Sequence, residues 1–501
     1  MKKYIGNKSK ILEDIYLEAE ALCPEVQTIF DAFSGTTNVG QFFKSKGFSI
    51  ISNDINTTSY LLGEVYLKIN ELPSFDSLFS SNCKAINNII TLDKSGELSV
   101  LVKKLISLNH NTNDVAYMES IMDSNAIKIL AYLSFVATQN DCVDEAYEYQ
   151  LKANDFIWRN YCYKGTNSEY FNLVTKKSIV SQIEALQHTN LKKSTILKIK
   201  NKLESVFTPP YDMAALAAAI SELKKEERDN HVRVIIGKLE ALRRRNNHIG
   251  RRMFFSENHG HRIDTINNLN LLWLRSGLID KAEYNYLQCS LIEAVALFSN
   301  TSATYQAFYK TYRENTKQEF RLVVPEIIPS TKNHRVYCHD TFELIDEIED
   351  KYDLLYLDPP YNWRIYDSNY HLLNLIAGYN DVADNILEFE KGIAGAAGEN
   401  RKLTRDYTNY NRRETFEDLL FRLILKAKCK YIIISYSDSL SNHNKNSLSS
   451  VERIEAFLKN PDYFDPILYK KVEVKSIKFE SRKSERKDKI HELLFMAKKK
   501  E

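Results

Sequence analysis

A short apolar run, Leu354 to Leu357, is followed at once by Asp358 and two consecutive prolines, and few local structures accommodate that order. Such a run, bounded by turn residues, is typical of a buried strand. Neither Pro359 nor Pro360 has a backbone N–H to give to a sheet, so the chain must leave the sheet there. The strand therefore delivers a carboxylate, two rigid carbonyls and the ring of Tyr361 to one end of a sheet.

The groups at this strand end suit one kind of ligand. A carboxylate and a fixed carbonyl are both acceptors, so together they can hold the two hydrogens of an –NH2 group. An aromatic ring beside them can stack on a flat heterocycle, which contributes roughly 1–3 kcal/mol per base. The pattern indicates a clamp for the exocyclic amine of a nucleobase, where the acceptors also stabilise positive charge developing on nitrogen. The alternative is a Pro-Pro turn with Asp358 in solvent; the preceding strand and Tyr361 favour the clamp.

A second strand end predicts a nucleotide-type site. Val26 to Asp31 is a predicted buried strand, and a loop containing Gly35 and then a helix follow it. A strand, a glycine-bearing loop and a helix N-terminus place backbone amides against a ligand. The next predicted strand, Phe48 to Ile51, leads to Asp54, which lies 23 residues after Asp31. This is about the spacing at which an acidic residue takes the hydroxyls of a ribose.

Three further runs are predicted to be short strands. They are Val336 to Cys338, Lys430 to Tyr436 and Leu493 to Met496. Each is rich in apolar or β-branched residues, which is typical of strands. The basic stretch before the last run is either a hairpin at the edge of the sheet or a surface for a nucleic acid.

The distribution of charge is more informative than its sum. The 501-residue chain has a formal net charge of +2, which taken alone argues weakly against a nucleic-acid partner. However, residues 170–260 carry 17 Lys and Arg against 9 Asp and Glu, and residues 470–501 carry 12 against 6. Basic stretches of this kind are the electrostatic footprint of nucleic-acid binding.

Other features bound the class of protein. The seven cysteines include no Cys-x-x-Cys pair, so neither a zinc site nor a disulfide framework is expected. His259 and His261 have no companion ligands that would make them a metal site, so no metal is assigned. No apolar run approaches the ~20 residues of a membrane span, and the N-terminus lacks the apolar region of a signal peptide. We therefore expect a cytoplasmic protein with no membrane partner.

The stretch Asp358-Pro359-Pro360-Tyr361 resembles the catalytic box of amino-methyltransferases that act on DNA. With the residues that follow it, the chain resembles the Dam-like adenine-specific DNA methyltransferase family. Those residues are Arg364, Tyr366, Asn369, Tyr370, His371, Leu372 and Leu373. The resemblance implies that the four residues of the box are catalytic and that S-adenosylmethionine is the methyl donor.

The resemblance also implies which residues bind the donor. They are Tyr4, Lys8, Asp31, Phe33, Gly35, Asp54, Asp340 and Phe342. Composition alone would make the stretch around Tyr4 and Lys8 an exposed basic N-terminus. Asp340 is expected to accept from the adenine amine of the donor, and the alternative is that it caps the following helix. Thr37 departs from the family pattern, which usually has a second glycine there, and this would weaken donor affinity if the position requires a positive φ or lacks room for a side chain.

Two arginine-rich segments are interpreted as DNA-binding. Helical patterning dominates from Leu72 to Gly250, where the resemblance places target recognition, and the densest basic cluster ends that region. Its arginines are Arg243, Arg244, Arg245, Arg251 and Arg252. A predicted mobile loop, 391–413, adds Arg401 and Arg405 as phosphate contacts. The alternative for the first cluster is a solvated helix C-terminus, where cations are favoured. The alternative for residues 391–413 is a solvated loop with no contact to DNA.

The assembled pattern implies an α/β fold. We expect a Rossmann-like methyltransferase sheet flanked by helices, with an inserted, mainly helical domain. Residues 1–74 and 254–501 are the predicted catalytic domain, and residues 75–253 are the predicted DNA-binding insertion. The implied function is methyl transfer to the N6 amine of adenine in a specific duplex sequence, with the base flipped out of the helix. The implied setting is a restriction-modification system, with double-stranded DNA and a cognate restriction endonuclease as partners.

Four alternatives remain open from the sequence. The clamp would hold the N4 amine of cytosine equally well, and RNA is a possible substrate. The chain could also be a catalytically silent DNA-binding homologue, with Thr37 as the sign of a lost donor site. A nuclease within the insertion is the fourth, although no constellation of acidic residues and lysine supports it.

Overall fold

The computed structural model of the protein describes residues 8–109, 115–138, 141, 155–244, 249–359, 366–400, 413–437, 450–475 and 491–500. In these ranges the strands are β1 (Thr28–Asp31), β2 (Ser49–Asn53), β3 (Glu169–Phe171), β4 (Ile249–Arg251), β5 (Arg335–Tyr337), β6 (Leu354–Leu357), β7 (Ile393–Ala394), β8 (Glu399–Asn400), β9 (Tyr431–Ser437), β10 (Lys470–Lys475) and β11 (His491–Lys498). All six predicted strands are present, with ends that differ by no more than two residues from those expected.

One sheet contains seven of these strands in the order β10-β11-β9-β6-β1-β2-β5. The five strands β9, β6, β1, β2 and β5 are parallel to one another, whereas β11 runs antiparallel to both β9 and β10. The predicted α/β fold with a mostly parallel sheet is therefore confirmed. Because parallel strands end at the same edge, β1, β2, β5 and β6 present their carboxyl ends side by side, which is where ligands bind in open α/β sheets.

Both faces of the sheet are buried under helices. Successive strand residues point to opposite faces, and accordingly Ile29 and Phe30 belong to two different apolar cores. The helices on the Ile29 face are Leu12–Leu22 and Asn38–Ser45. Those on the Phe30 face are Thr341–Glu347, Arg413–Lys426 and Ser450–Leu458, and a 3-10 turn, Pro466–Leu468, precedes β10.

A third core is built mainly from helices, and the extended segment from Phe320 to Ile327 also packs into it. Its α-helices are Thr57–Gly63, Asp76–Phe79, Lys84–Lys94, Glu97–Leu108, Val115–Ile121, Asn125–Phe135, Phe156–Tyr161, Glu257–Arg275, Lys281–Phe298, Tyr366–Ala377, Tyr379–Val382 and Ile386–Lys391. The π-helix Glu64–Lys68 and the 3-10 turns Glu314–Thr316 and Ala383–Asn385 lie between them. None of the helices within the described ranges combines the length and the apolar character needed to cross a bilayer.

A fourth core belongs to the second half of the predicted insertion. Its helices are Leu173–Ala185, Lys193–Ser205, Met213–Lys224 and Asn230–Arg244, with a 3-10 turn at Leu186–His188. The antiparallel strands β3 and β4 form the neck of this unit. Gly250 lies opposite Tyr170 there, and a Cβ at Gly250 would come within 2.5 Å of the Tyr170 ring, so a larger residue would require that ring to move. The helices of residues 75–253 are thus divided between two cores.

Candidate active site

Two neighbouring strands bring predicted site residues to the same edge of the sheet. β1 and β6 are parallel, and Asp31 lies opposite Tyr356. The pairing extends beyond β1, because the amide of Ala32 donates to the carbonyl of Tyr356 at 3.2 Å. Asp358 follows two residues later, and its charge acts on Asp31, whose pKa it helps to raise. The loop that carries Gly35 therefore starts beside the strand end that carries Asp358.

Asp54 ties the glycine loop to the end of β2. Its Oδ2 accepts a hydrogen bond from the amide of Gly35 at 2.8 Å, and its Oδ1 accepts from the amide of Asn56 at 2.9 Å. Gly35 has a φ of +50°, in the left-handed region that suits glycine. Burial raises the pKa of Asp54, and these backbone hydrogen bonds oppose that rise. The acid predicted from its spacing is thus held in place beside the loop.

Asp31 is a buried carboxylate that the described chain leaves unsatisfied. It is 1% exposed, and neither oxygen accepts a hydrogen bond of normal geometry from the described residues, although the nearby amide of Phe33 partly opposes the rise of its pKa. Burial, and then the charges of Asp358 and Asp54, raise its pKa well above the usual range. An unpaired buried charge is costly, so such a group favours a cationic ligand. This fits S-adenosylmethionine, which carries an ammonium and a sulfonium.

The structure answers the question that Thr37 raises. Its φ is +59° and it precedes the helix Asn38–Ser45, so this position does require the left-handed conformation that a second glycine would supply. The side chain is fully buried, and its hydroxyl accepts from the Gln41 amide at 2.9 Å and donates to the carbonyl of Thr36 at 2.6 Å. The threonine thus fits at a strained position by bonding to its own loop and helix.

Asp340 and Phe342 lie at the end of β5. Asp340 caps the helix Thr341–Glu347, because its Oδ1 accepts from the amide of Phe342 at 2.9 Å. The rings of Phe33 and Phe342 are neighbours, with centroids 6.1 Å apart. Asn53 of β2 donates to the Thr341 hydroxyl at 2.9 Å and so joins the two strand ends. The capping alternative for Asp340 is what the structure shows, and a contact with the donor remains a proposal.

Lys8 contacts the carboxylate of Asp358. Its ammonium lies 3.1 Å from Oδ1 of Asp358, and Lys8 is 7% exposed, unlike the exposed basic terminus that composition alone would suggest. Burial raises the pKa of Asp358 to about 7, although Lys8 opposes the rise. Pro359 is buried next to it. The pKa of the carboxylate at this strand end is therefore set by a balance between burial, which raises it, and the Lys8 charge, which lowers it.

Glu492 is a member of this site that the sequence did not reveal. Its Oε1 lies 2.5 Å from the Lys8 ammonium and accepts from the Ser435 hydroxyl at 2.7 Å. It lies on β11, immediately before the run Leu493 to Met496 that is expected only to be a final strand. The one available signal was an acidic residue at the start of an otherwise apolar strand, which is rare in a buried position without a partner.

Several predicted site residues lie outside the described residues. They are Tyr4, Pro360, Tyr361, Arg245, Arg401 and Arg405. Their assignments stay predictions.

The described arginines of the basic cluster fall into two groups. Arg243 and Arg244 are exposed at the end of the helix Asn230–Arg244. Arg251 is partly exposed and pairs with Glu169 across the neck at 2.9 Å. These three are accessible to a phosphate.

The assignment of Arg252 to DNA binding is wrong. This residue is 2% exposed, and its guanidinium donates to the carbonyls of Asn160, Asn167 and Gly395 at 2.9–3.2 Å. Its donors are used inside the protein, where they join the neck to the β7–β8 hairpin. This hairpin occupies residues 393–400 of the predicted mobile loop, and it includes Gly398 with a φ of +71°.

No group of three or more His, Cys, Asp or Glu side chains in the described ranges is arranged to hold a metal ion. His259 is buried, with Nε2 2.7 Å from the carbonyl of Gln318, and His261 stacks on Trp158 with ring centroids 4.9 Å apart. His259 therefore takes part in the packing of the helical core, whereas His261 lies exposed on its surface.

A family model described as "D12 class N6 adenine-specific DNA methyltransferase" matches residues 4–213 and 211–393. The chain is 32% identical over 244 residues to the type II methyltransferase M.FokI of Planomicrobium okeanokoites, which covers 49% of this chain and 34% of that protein. It is 34% identical over 195 residues to the modification methylase LlaI of Lactococcus lactis subsp. lactis, a match that covers 37% of this chain and 28% of that protein. It is 30% identical over 231 residues to the type II methyltransferase M.NlaIII of Neisseria lactamica, a match that covers 46% of this chain and 63% of that protein.

The matched part thus spans from about a quarter to just under two thirds of these relatives. No solved structure gives a significant match to the chain.

Proposed function

Because the chain belongs to the D12 class N6 adenine-specific DNA methyltransferase family, we propose that it methylates the exocyclic N6 amine of adenine in a specific sequence of duplex DNA. The methyl donor in this proposal is S-adenosylmethionine. The observation that carries the proposal is the placement of Asp358 at the carboxyl end of β6, beside the β1 strand end and its glycine loop. A methyl acceptor held by Asp358 would therefore lie next to a donor held by that loop.

The donor site in this proposal is formed by the carboxyl ends of β1, β2 and β5. When bound, the donor supplies a methyl group attached to a positively charged sulfur. Asp54, fixed by the Gly35 amide, would take the ribose hydroxyls. Phe33 and Phe342 would flank the adenine ring, and Asp31 would neutralise positive charge.

The target amine would be held by Asp358 and the carbonyl of Pro359. The amine is a weak nucleophile because its lone pair is delocalised into the ring. Two acceptors in fixed positions favour a pyramidal nitrogen and stabilise the positive charge that develops on it. Tyr361 would stack on the base, which must leave the duplex at a cost of a few kcal/mol.

DNA contacts in this proposal come from the basic surface near the neck. Arg243, Arg244 and Arg251 are the accessible members of the cluster, and Arg401 and Arg405 would add contacts. The unit between β3 and β4 has its own core and carries two of these residues, so it suits a target-recognition role within residues 75–253.

The biological setting proposed is a restriction-modification system. Two relatives are named modification methylases and others type II methyltransferases. By this likeness the chain would act in the cytoplasm on double-stranded DNA, as the modification partner of a cognate restriction endonuclease.

The direct test is incubation of the full chain with isotope-labelled S-adenosylmethionine and DNA of varied sequence. Sequencing would map the modified positions, and nucleoside analysis would identify the product. We expect N6-methyladenine at one short motif. N4-methylcytosine would reassign the target, and modification of structured RNA in preference to duplex DNA would reassign the substrate. Donor binding absent at millimolar concentration would favour a catalytically silent DNA-binding protein.

A further inference from the structure

The Lys8 ammonium lies between two carboxylates that come from different strands. It is 3.1 Å from Oδ1 of Asp358 on one side and 2.5 Å from Oε1 of Glu492 on the other. The same Glu492 oxygen is held by the hydroxyl of Ser435 on β9 at 2.7 Å. Glu492 is 4% exposed, so solvent screens it little. An ordered polar chain thus runs from Asp358 into the sheet.

This cluster holds more negative charge than one ammonium can balance. Among the described residues, Asp358 is faced by Lys8 from the N-terminal segment, by Glu492 from β11 and by Asp31 from β1; Tyr356 of β6 also lies within electrostatic reach. Lys8 alone would hold the pKa of Asp358 low. Burial and the Glu492 charge act against it, and the pKa of Asp358 is raised to about 7.

The proposed reaction must dispose of a proton. The amine nitrogen would use its lone pair to bond to the methyl group and become positively charged, while the bond from the methyl group to the donor sulfur would break and leave its electron pair on sulfur. One N–H bond then breaks, its electron pair stays on nitrogen, and the proton passes to an acceptor in contact with the amine. Asp358 would already hold that amine, so it can be this acceptor if Lys8 does not neutralise it fully.

We propose that Glu492 is a positioning residue that shares the Lys8 ammonium with Asp358 and so leaves Asp358 able to take the proton released by the target amine. This inference rests on the proposed methyl transfer and assigns a role to a strand that carries none of the predicted site residues. Once Asp358 is neutral, Lys8 remains paired with Glu492, and the proton passes to solvent when the product leaves.

The variant Glu492→Gln tests the charge while keeping an acceptor oxygen for Lys8 and Ser435. The single-turnover rate should fall at low pH as Asp358 becomes protonated. In Glu492→Gln we expect this fall to occur about one pH unit lower than in the wild type, because Lys8 then pairs fully with Asp358 and lowers its pKa. Glu492→Asp keeps the charge and should keep this fall near its wild-type pH. Glu473→Gln, the same change at an exposed position on β10, is the control and should leave the profile unchanged. Lower rates in both Glu492 variants with the fall at its wild-type pH would mean a purely structural role and would overturn the proposal.

A carboxyl titration separates this inference from the proposed function. In protein labelled with 13C at aspartate carboxyls, without donor or DNA, the Asp358 signal is assigned by its loss in Asp358→Asn. We expect it to titrate near pH 7 in the wild type and about one pH unit lower in Glu492→Gln. If Asp358 titrates as expected but the protein methylates no DNA, the proposed function is wrong and the charge sharing between Glu492 and Asp358 still holds. Titration of the wild-type signal below about pH 5 would overturn the inference even if Glu492→Gln does not fold.

Discussion

The ammonium of Lys8 lies 3.1 Å from the carboxylate of Asp358, so Lys8 packs against the end of a central strand. Lys8 is held in turn by Glu492 of β11. Lys8, the end of β6 and the start of β11 therefore meet at one point, and each supplies a charged group to it. Substitutions at this point are expected to change the chemistry of the strand end more than the fold around it.

Asp358→Ala is expected to abolish methyl transfer, because it removes both an acceptor for the target amine and the negative charge that stabilises the developing cation. The expected loss in single-turnover rate is at least about 100-fold, the size seen when one group that stabilises transition-state charge is removed. DNA affinity, measured by fluorescence anisotropy, should change by less than about threefold, since the substitution removes no group that binds a phosphate. Near-normal turnover in this variant would refute the assignment of Asp358.

The raised pKa of Asp358 also predicts how stability depends on pH. The folded-state pKa of about 7 lies above that of an unfolded aspartate. The contribution of this group to stability is therefore fully present below about pH 4 and is lost as the pH rises through about 7. An asparagine at this position would not titrate, so the Asp358→Asn variant does not lose stability as the pH rises. At pH 8 its free energy of unfolding should exceed that of the wild type by about 1–3 kcal/mol, and the difference should shrink towards pH 4.

Urea unfolding at several pH values measures this difference. Asp462→Asn, an exposed turn residue, is the matched control and should show no pH-dependent gain. An advantage for Asp358→Asn that is constant from pH 4 to pH 8 would show that its carboxyl does not titrate in this range.

The sequence predicted those parts of the site that depend on short-range order. Asp31, Gly35 and Asp54 could be placed because a strand, a loop and a second strand follow one another along the chain. The strand end at Asp358 could be placed because two prolines fix where the chain leaves the sheet.

The remaining parts depend on pairing between distant segments, which local patterns do not determine. Glu492 joins the site only because β11 inserts antiparallel beside β9. Arg252 was misassigned because a dense run of arginines does not show which of them faces inward. Its burial follows from the approach of the β7–β8 hairpin to the neck, where the bonded residues are 143 apart in the chain.

Thr37 allows a test of backbone strain in the glycine loop. At ordinary positions alanine stabilises by about 0.4–1 kcal/mol relative to glycine. At a φ of +59° the order should reverse, because a Cβ in the left-handed region costs roughly 1–2 kcal/mol. Thr37→Gly should therefore be more stable than Thr37→Ala, both variants having lost the hydroxyl. Thermal unfolding of the two proteins decides, and a more stable Thr37→Ala would mean that the loop relaxes to a negative φ.

The arginine cluster predicts two different responses to substitution. Replacing Arg243 and Arg244 by alanine should weaken DNA binding, and the slope of log affinity against log salt should fall by about 0.9 for each phosphate that is no longer neutralised. Arg252→Met should leave that slope unchanged and lower stability by about 3 kcal/mol or more, because three buried carbonyls lose their donor. Binding isotherms across a salt series, together with unfolding curves, separate the two effects. A reduced slope in Arg252→Met would return this residue to the DNA surface.

Asp31 is expected to be stabilised by the ligand and to destabilise the free protein. Its carboxylate is buried without a hydrogen bond of normal geometry from the described chain, and its pKa is raised by burial and by neighbouring carboxylates. Asp31→Asn should therefore raise the free energy of unfolding of the free protein at pH 8 by about 1–2 kcal/mol. The same substitution should lower the affinity for S-adenosylmethionine by about 10- to 100-fold. The neutral analogue 5′-deoxy-5′-methylthioadenosine has neither the ammonium nor the sulfonium, so its affinity should be nearly the same in both proteins. Calorimetric titration with the two ligands tests the role of charge directly, since an equal loss of affinity for both would show that Asp31 shapes the pocket without pairing with a cation.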